Sequence, residues 1–65
     1  MYVIRVGKTD FVCSGSYIFQ GERYQVIGNR AEAKKFKKQQ SAINYAEKLI
    51  ETRANVMNYE IIACI

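Results

Sequence analysis

The 65-residue sequence predicts a small α+β domain, in which one amphipathic helix packs on one face of an antiparallel or mixed β-sheet of about four to five strands. Two observations predict this class. β-Branched and aromatic residues dominate the apolar positions, beside a single leucine, and such side chains pack well on a pleated sheet. The stretch of about residues 38–54 instead repeats its apolar positions at helical spacing. No linker or repeat divides the chain, so residues 1–65 are expected to form one domain.

Four short apolar runs separated by glycine-containing sequences predict two hairpins in the first half of the chain. The runs are residues 2–6, 11–13, 17–19 and 24–27. The segment 7–10 is expected to form the first turn, and 20–23 to form a four-residue turn in the second hairpin. Ser14-Gly15-Ser16 is expected to separate the two hairpins. Gly28 and Asn29, which tolerate positive φ, end the last of these strands.

The helix is predicted over about residues 38–54, because one face of that stretch is largely apolar. That face consists of Ala42, Tyr45, Ala46, Leu49, Ile50 and Arg53. Its apolar members are expected to cover the core. Residues 59–65 predict a final strand. Because that strand is apolar on both faces apart from Glu60, we expect it to lie in the centre of the sheet.

The formal net charge of +4 is concentrated in residues 30–38, here termed the basic segment. It contains one carboxylate and five cations, and the rest of the chain is neutral. The cations are Arg30, Lys34, Lys35, Lys37 and Lys38. In an extended segment, Lys35 and Lys37 point away from a face on which Phe36 reaches the core. Two interpretations stay open: a contact with nucleic acid or an acidic protein surface, or a solvated stretch that protects an edge strand.

Aromatic residues cluster around the second predicted hairpin. Tyr17, Phe19 and Tyr24, with Arg23 beside them, would suit a stacking surface for single-stranded nucleic acid or a hot-spot patch for a protein. Strand alternation places Tyr17 and Phe19 on one face, so the alternative interpretation makes both of them core residues. The sequence contains no RNA-recognition signature of the Lys/Arg-Gly-Phe type.

Composition argues against catalysis. The chain has no histidine, no phosphate-binding glycine motif and no zinc-ligand spacing, so we expect a non-catalytic protein without cofactor or metal. Cys13 and Cys64 are expected to be free thiols, a bridge or a redox role being the alternative. No signal peptide and no apolar run of membrane-spanning length is apparent. These features predict a cytoplasmic protein with no membrane partner.

Several segments together carry a resemblance that spans most of the chain. They are Tyr2-Val3-Ile4-Arg5, Ala33-Lys34-Lys35-Phe36, the helical Ala42, Tyr45, Ala46 and Leu49, and Tyr59-Glu60-Ile61. In these segments the sequence resembles very small proteins that recur in phages and mobile elements of Gram-positive bacteria. Members with known roles are stoichiometric modulators of a host protein or inhibitors of bacterial defence systems, CRISPR effectors included.

The resemblance therefore implies a host or defence protein as partner and the host-cell cytoplasm as location. Direct nucleic-acid binding through the basic segment is the alternative function. A homodimer formed through an exposed sheet edge is also open.

Lys38 departs from the pattern of those proteins, which usually have Ser or Thr there as a helix N-cap. Lysine offers no side-chain acceptor to the free N–H groups, and its charge opposes the positive end of the helix dipole, at a cost of about 1 kcal/mol. Either the helix starts elsewhere, with Ser41 near its first turn, or the basic residue is retained for another reason.

Overall fold

The structure is a computed structural model that describes residues 1–64. Three strands joined by short connections precede a single helix, and a fourth strand follows it. The elements in chain order are β1 (Tyr2–Val6), β2 (Asp10–Phe19), β3 (Glu22–Gly28), a 3₁₀ turn (Arg30–Glu32), α1 (Gln39–Thr52) and β4 (Glu60–Ala63). All strand pairs are antiparallel, in the order β3-β2-β1-β4. The predicted α+β class, with one helix packed against the sheet, is confirmed with four strands.

The core lies on both faces of β1. On the helix side, strand residues pack against one face of α1; this cluster is Ile4, Val6, Val12, Ala42, Ala46, Leu49 and Val56. On the opposite side, Val3 and Phe11 pack against Ala33, which follows the 3₁₀ turn. Ile50, predicted to cover the core, is 38% exposed because it lies at the margin of the helix face centred on Ala46. No helix within residues 1–64 has the length and apolar character needed to cross a membrane.

β2 is one ten-residue strand, so the predicted break at Ser14-Gly15-Ser16 is wrong. Val12 pairs with Ile27 and Ser16 pairs with Gln25, which leaves three β2 residues opposite one residue of β3. The chain absorbs this bulge at Gly15, whose φ of 92° suits glycine. Gly15 was expected to separate two strands, but it bends one continuous strand instead.

Gln25 holds the bulge in place. Its side chain is buried, and Nε2 donates to Cys13 O at 2.6 Å and to Gly15 O at 2.9 Å. These carbonyls belong to the irregular part of β2, where the ladder is interrupted. One amide therefore supplies the donor for the buried Cys13 carbonyl and also bonds the partly buried Gly15 carbonyl.

The turn between β2 and β3 has two residues, Gln20 and Gly21, rather than the predicted four at 20–23. Phe19 pairs with Glu22 across it, and both loop residues have positive φ, at 51° and 83°. That combination is typical of the type I′ turn, whose twist matches a right-twisted hairpin.

β4 is an edge strand, so the predicted central position is wrong. Its apolar character on both faces has another cause: Ile61 packs with the helix-side cluster, and Ile62 packs with the opposite cluster. A strand can thus be apolar on both faces at the edge of a sheet that is covered on both sides. Arg5 of β1 forms a salt bridge with Glu60. The predicted residue Ile65 lies outside the described part of the chain.

The helix begins where the resemblance places it, with Lys38 as N-cap. Lys38 has extended backbone angles, φ −119° and ψ 141°, and makes no side-chain capping bond. The alternative start near Ser41 is wrong. The last turn closes with Arg53 N donating to Leu49 O at 2.8 Å.

Candidate functional site

The hairpin formed by β2 and β3 extends beyond the core. Residues 14–24, here termed the arm, extend outward from the bulge, and β2 is exposed along all of its residues there. Tyr17 is 51% exposed, Ile18 66% and Phe19 57%. The interpretation of Tyr17 and Phe19 as core residues is therefore wrong. The molecule measures 38 Å along its longest axis against 21 and 19 Å across, so this small domain is elongated.

Three aromatic rings cover one face of the arm. Tyr17 lies directly opposite Tyr24, and their rings stack at a centroid distance of 5.5 Å and an angle of 12°. The Phe19 ring meets Tyr24 edge-on at 6.5 Å. Such pairs contribute about 0.5–1.5 kcal/mol beyond the area they bury. The aromatic contacts therefore stabilise the arm where it lacks a hydrophobic core.

The other face of the arm is also apolar in part, because Ile18 points away from the aromatic rings and pairs across the strands with Arg23.

On the aromatic face, Tyr24 is half-buried, and its hydroxyl donates to Glu22 Oε2 at 3.3 Å. Desolvation by its neighbours, and then the Glu22 carboxylate, raise the pKa of the Tyr24 phenol. The Tyr24 hydroxyl therefore keeps its proton at neutral pH and donates it to Glu22.

The base of the arm is fixed to the loop that follows α1. The Asn55 side chain accepts from Gln25 N and donates to Gln25 O, both at 2.9 Å. Ala54 N donates to Arg23 O at 3.0 Å. The loop thus covers part of the outer edge of β3. These bonds fix the base of the arm to the rest of the domain.

The basic segment inserts its backbone between β1 and β2. Phe36 and Tyr2 exchange both backbone hydrogen bonds at 2.8 Å, and Lys34 N donates to Val12 O at 2.9 Å. The segment begins with the 3₁₀ turn, which the Asn29 side chain caps by accepting from Glu32 N at 3.1 Å. The segment is therefore an ordered part of the sheet region.

Phe36 anchors this segment as predicted. Its ring lies 5.2 Å from the Tyr45 ring, and Lys34 Nζ lies 5.6 Å and 5.7 Å from the two ring centroids. Lys34 is half-buried and makes cation–π contacts. The other four cations are exposed, and none of them forms a salt bridge within residues 1–64; they are Arg30, Lys35, Lys37 and Lys38. The first turn of α1 contains no acidic residue to balance them.

The structure does not bring the eight predicted site residues together. Lys38 stands at the start of α1, with the other cations of the basic segment before it in the chain. Arg23 contacts the loop just after the end of α1, with Tyr17 and Tyr24 nearby on the arm. The helix of 14 residues, about 21 Å long, separates the two groups.

Ile18, an exposed residue of the arm, was not among the predicted site residues. The signal was the run Tyr-Ile-Phe, in which consecutive large apolar side chains must point to both faces of a strand.

Cys13 and Cys64 are free thiols. Burial, and then the Glu32 carboxylate, raise the pKa of the Cys13 thiol.

A cleft of about 270 Å³ lies between the start of β3 and the end of α1. It is lined by Glu22, Arg23, Glu51, Thr52, Arg53 and Ala54. The Thr52 hydroxyl donates to Lys48 O at 2.8 Å and accepts from Arg53 Nη1 at 3.0 Å. This hydroxyl is therefore already engaged in hydrogen bonds at the end of α1. Residues 1–64 contain no group of three or more metal-ligating side chains placed to hold an ion.

Comparison with protein-family models, with curated proteins and with solved structures finds no match to this chain.

Proposed function

We propose that this protein is a small non-catalytic binding protein whose arm docks on a partner protein. The observation that carries the proposal is the run Tyr17, Ile18 and Phe19, exposed on a hairpin that projects from the core. Contiguous exposed apolar side chains of this kind mark interaction surfaces on soluble proteins. Aromatic residues are enriched at the centres of such interfaces, where they supply much of the binding energy.

The ordering of the arm supports the same function. The Asn55 bonds fix its base, and the Tyr17–Tyr24 stack fixes its strands. A surface that is already ordered loses little conformational entropy on binding. Arg23 is exposed on the arm and suits the polar rim of an interface.

The finer proposal names a bacterial host or defence protein as the partner, bound stoichiometrically in the cytoplasm of the host cell. The resemblance to phage and mobile-element proteins supports this choice. The free thiols Cys13 and Cys64 fit a reducing compartment.

A pull-down from a Gram-positive lysate tests the proposal with two variants. The double variant I18S/F19S removes the apolar tip, and M57S removes another exposed apolar side chain, 83% exposed, outside the arm. We expect one stoichiometric partner with the wild type and M57S, and its loss with I18S/F19S. Failure to retain any stoichiometric protein at low and moderate salt would count against the proposal, as would a partner that I18S/F19S still binds.

The alternative function, nucleic-acid binding by the basic segment, is favoured by a separate observation. Four exposed cations lie close together in the chain with no salt-bridge partner in the described residues. Neutralising a few phosphates gives weak binding that falls steeply with salt. A gel shift with the wild type and with K35Q/K37Q tests this function, and I18S/F19S is the matched control. Binding that is insensitive to salt, or that K35Q/K37Q retains, contradicts it.

A further inference from the structure

The two edges of the sheet differ in how their backbone groups are used. At the β3 edge, Ala54 N bonds Arg23 O, and the Asn55 side chain bonds both backbone groups of Gln25. The loop after α1 therefore occupies the positions where another strand would pair. This edge is closed to strand addition along its outer half.

The β4 edge is open. Met1 and Cys64 exchange backbone bonds at 2.7 and 3.2 Å. Because inward and outward residues alternate in an antiparallel ladder, the N–H and C=O groups of Ile61 and Ala63 point away from β1. They have no hydrogen-bond partner within residues 1–64. The edge presents four backbone groups in the spacing of a strand.

β4 is short, at four residues, but it lacks the other features that usually prevent edge pairing. It contains no lysine, no proline and no bulge, and its one charged residue, Glu60, is engaged by Arg5. Ile61 and Ile62 are only half-buried, one toward each layer of the core. A strand added here would extend both apolar layers.

We propose that β4 pairs with β4 of a second copy of this chain across a twofold axis, forming one eight-stranded sheet. Antiparallel pairing of Ile61 with Ala63 of the second copy uses all four outward groups and sets a large side chain opposite a small one. The two Ile62 residues then lie next to each other at the axis. Glu60 faces Cys64 of the second copy, so no like charges meet.

The placement of charge favours a second copy as the occupant. The basic segment pairs with the opposite edge of β1, through Tyr2 and Phe36. Its cations therefore stay away from the twofold axis, and two copies approach through edges that carry little net charge. Pairing through β4 also leaves both arms free, so the dimer is compatible with the proposed function and does not depend on it.

Mass and amide exchange together test this dimer. Sedimentation of the wild type from micromolar to submillimolar concentration should show conversion from 7.5 kDa to twice that mass. The amides of Ile61 and Ala63 should become protected from hydrogen exchange as the dimer forms. The amide of Ile62, which bonds to β1 in the monomer, should be protected at every concentration. These internal controls need no variant.

The variant A63P removes one outward N–H and leaves the bonds to β1 intact, whereas A63S keeps that N–H. Two lost hydrogen bonds per dimer should raise the dissociation constant about tenfold or more in A63P, with wild-type association in A63S and in I18S/F19S. A monomer at all concentrations overturns the proposal. So does a dimer that I18S/F19S abolishes, or one whose Ile61 and Ala63 amides exchange freely. If A63P fails to fold, exchange in the wild type still decides.

Discussion

Replacing Lys38 by serine should stabilise the protein. Lys38 is the N-cap of α1, with extended backbone angles and no side-chain bond to the helix. Ser, Thr and Asp caps adopt the same extended conformation and accept a hydrogen bond from an N–H of the first turn. The substitution K38S therefore adds a bond without moving the backbone. It also removes a cation from the positive end of the helix dipole.

The expected gain is about 1 kcal/mol in the free energy of unfolding from the cap alone. Relief of the unfavourable charge at the exposed helix end adds about 0.3 kcal/mol or more at low ionic strength. In a domain of this size, 1 kcal/mol corresponds to a rise of about 4–8 °C in Tm. The increment is large relative to the marginal stability expected of so short a chain.

Thermal and denaturant unfolding, followed by circular dichroism, measure the gain. K35S is the matched control, because Lys35 is exposed in the same basic segment and loses the same charge without reaching a cap position. If K38S raises Tm no more than K35S does, the effect comes from charge alone and the capping argument is refuted. A gel shift on both variants asks whether the gain in stability is accompanied by loss of polyanion binding.

Further predictions concern the bulge, the turn and the thiols. Q25A should lower the free energy of unfolding by about 2 kcal/mol, because it leaves the buried Cys13 carbonyl and the partly buried Gly15 carbonyl without their donor; denaturant titration measures this. Q20N should stabilise the hairpin by about 0.5 kcal/mol in the same titration, because asparagine tolerates the positive φ better than glutamine does. In native protein at mildly alkaline pH, a thiol reagent should modify half-buried Cys64 and spare buried Cys13 until the chain unfolds. Because the folded state raises the pKa of Cys13, it keeps the proton where the unfolded chain releases it, so stability should fall as pH rises above about 9.

Each of these expectations has a result that contradicts it. An effect of Q25A no larger than that of an exposed substitution would mean that water replaces the amide at the bulge. A loss of stability with Q20N would contradict the turn assignment. Rapid native modification of both thiols would contradict the burial of Cys13. If C13A shows the same alkaline loss of stability as the wild type, the loss comes from Tyr24 and Tyr59, whose pKa values are also raised.

Local patterns in the sequence predicted the helix and most strand positions because those patterns report on contacts near in the chain. Helical spacing from Ala42 to Leu49 gave α1 to within two residues at each end. The lack of a capping side chain at Lys38 was also predictable from the sequence, because cap chemistry depends on a single residue and its immediate neighbours.

Features set by distant contacts were not predictable in the same way. The bulge at Gly15 depends on Gln25, and the attachment of the base of the arm depends on Asn55, 30 residues further along. Neither residue carries a motif. The edge position of β4 escaped prediction because burial on two faces looks the same in sequence whether or not a strand has two neighbours.

The same distinction between local patterns and distant contacts applies to the candidate site. That Phe36 anchors the basic segment followed from strand alternation and is visible in its contact with Tyr45. The exposure of Tyr17 and Phe19 did not follow, because a pattern of apolar residues shows that side chains share a face but not whether another element covers that face.

The pairing of β1 with β4 has a consequence for the order of folding. It joins residues as far as 63 positions apart, and closing so long a loop costs far more chain entropy than closing a two-residue turn. Isolated hairpins form in about 1–10 µs, whereas sheets built on distant contacts form much more slowly. The β2–β3 hairpin should therefore pair first and β4 last. We therefore expect the hairpin that carries the aromatic rings to pair before the core that supports it is complete.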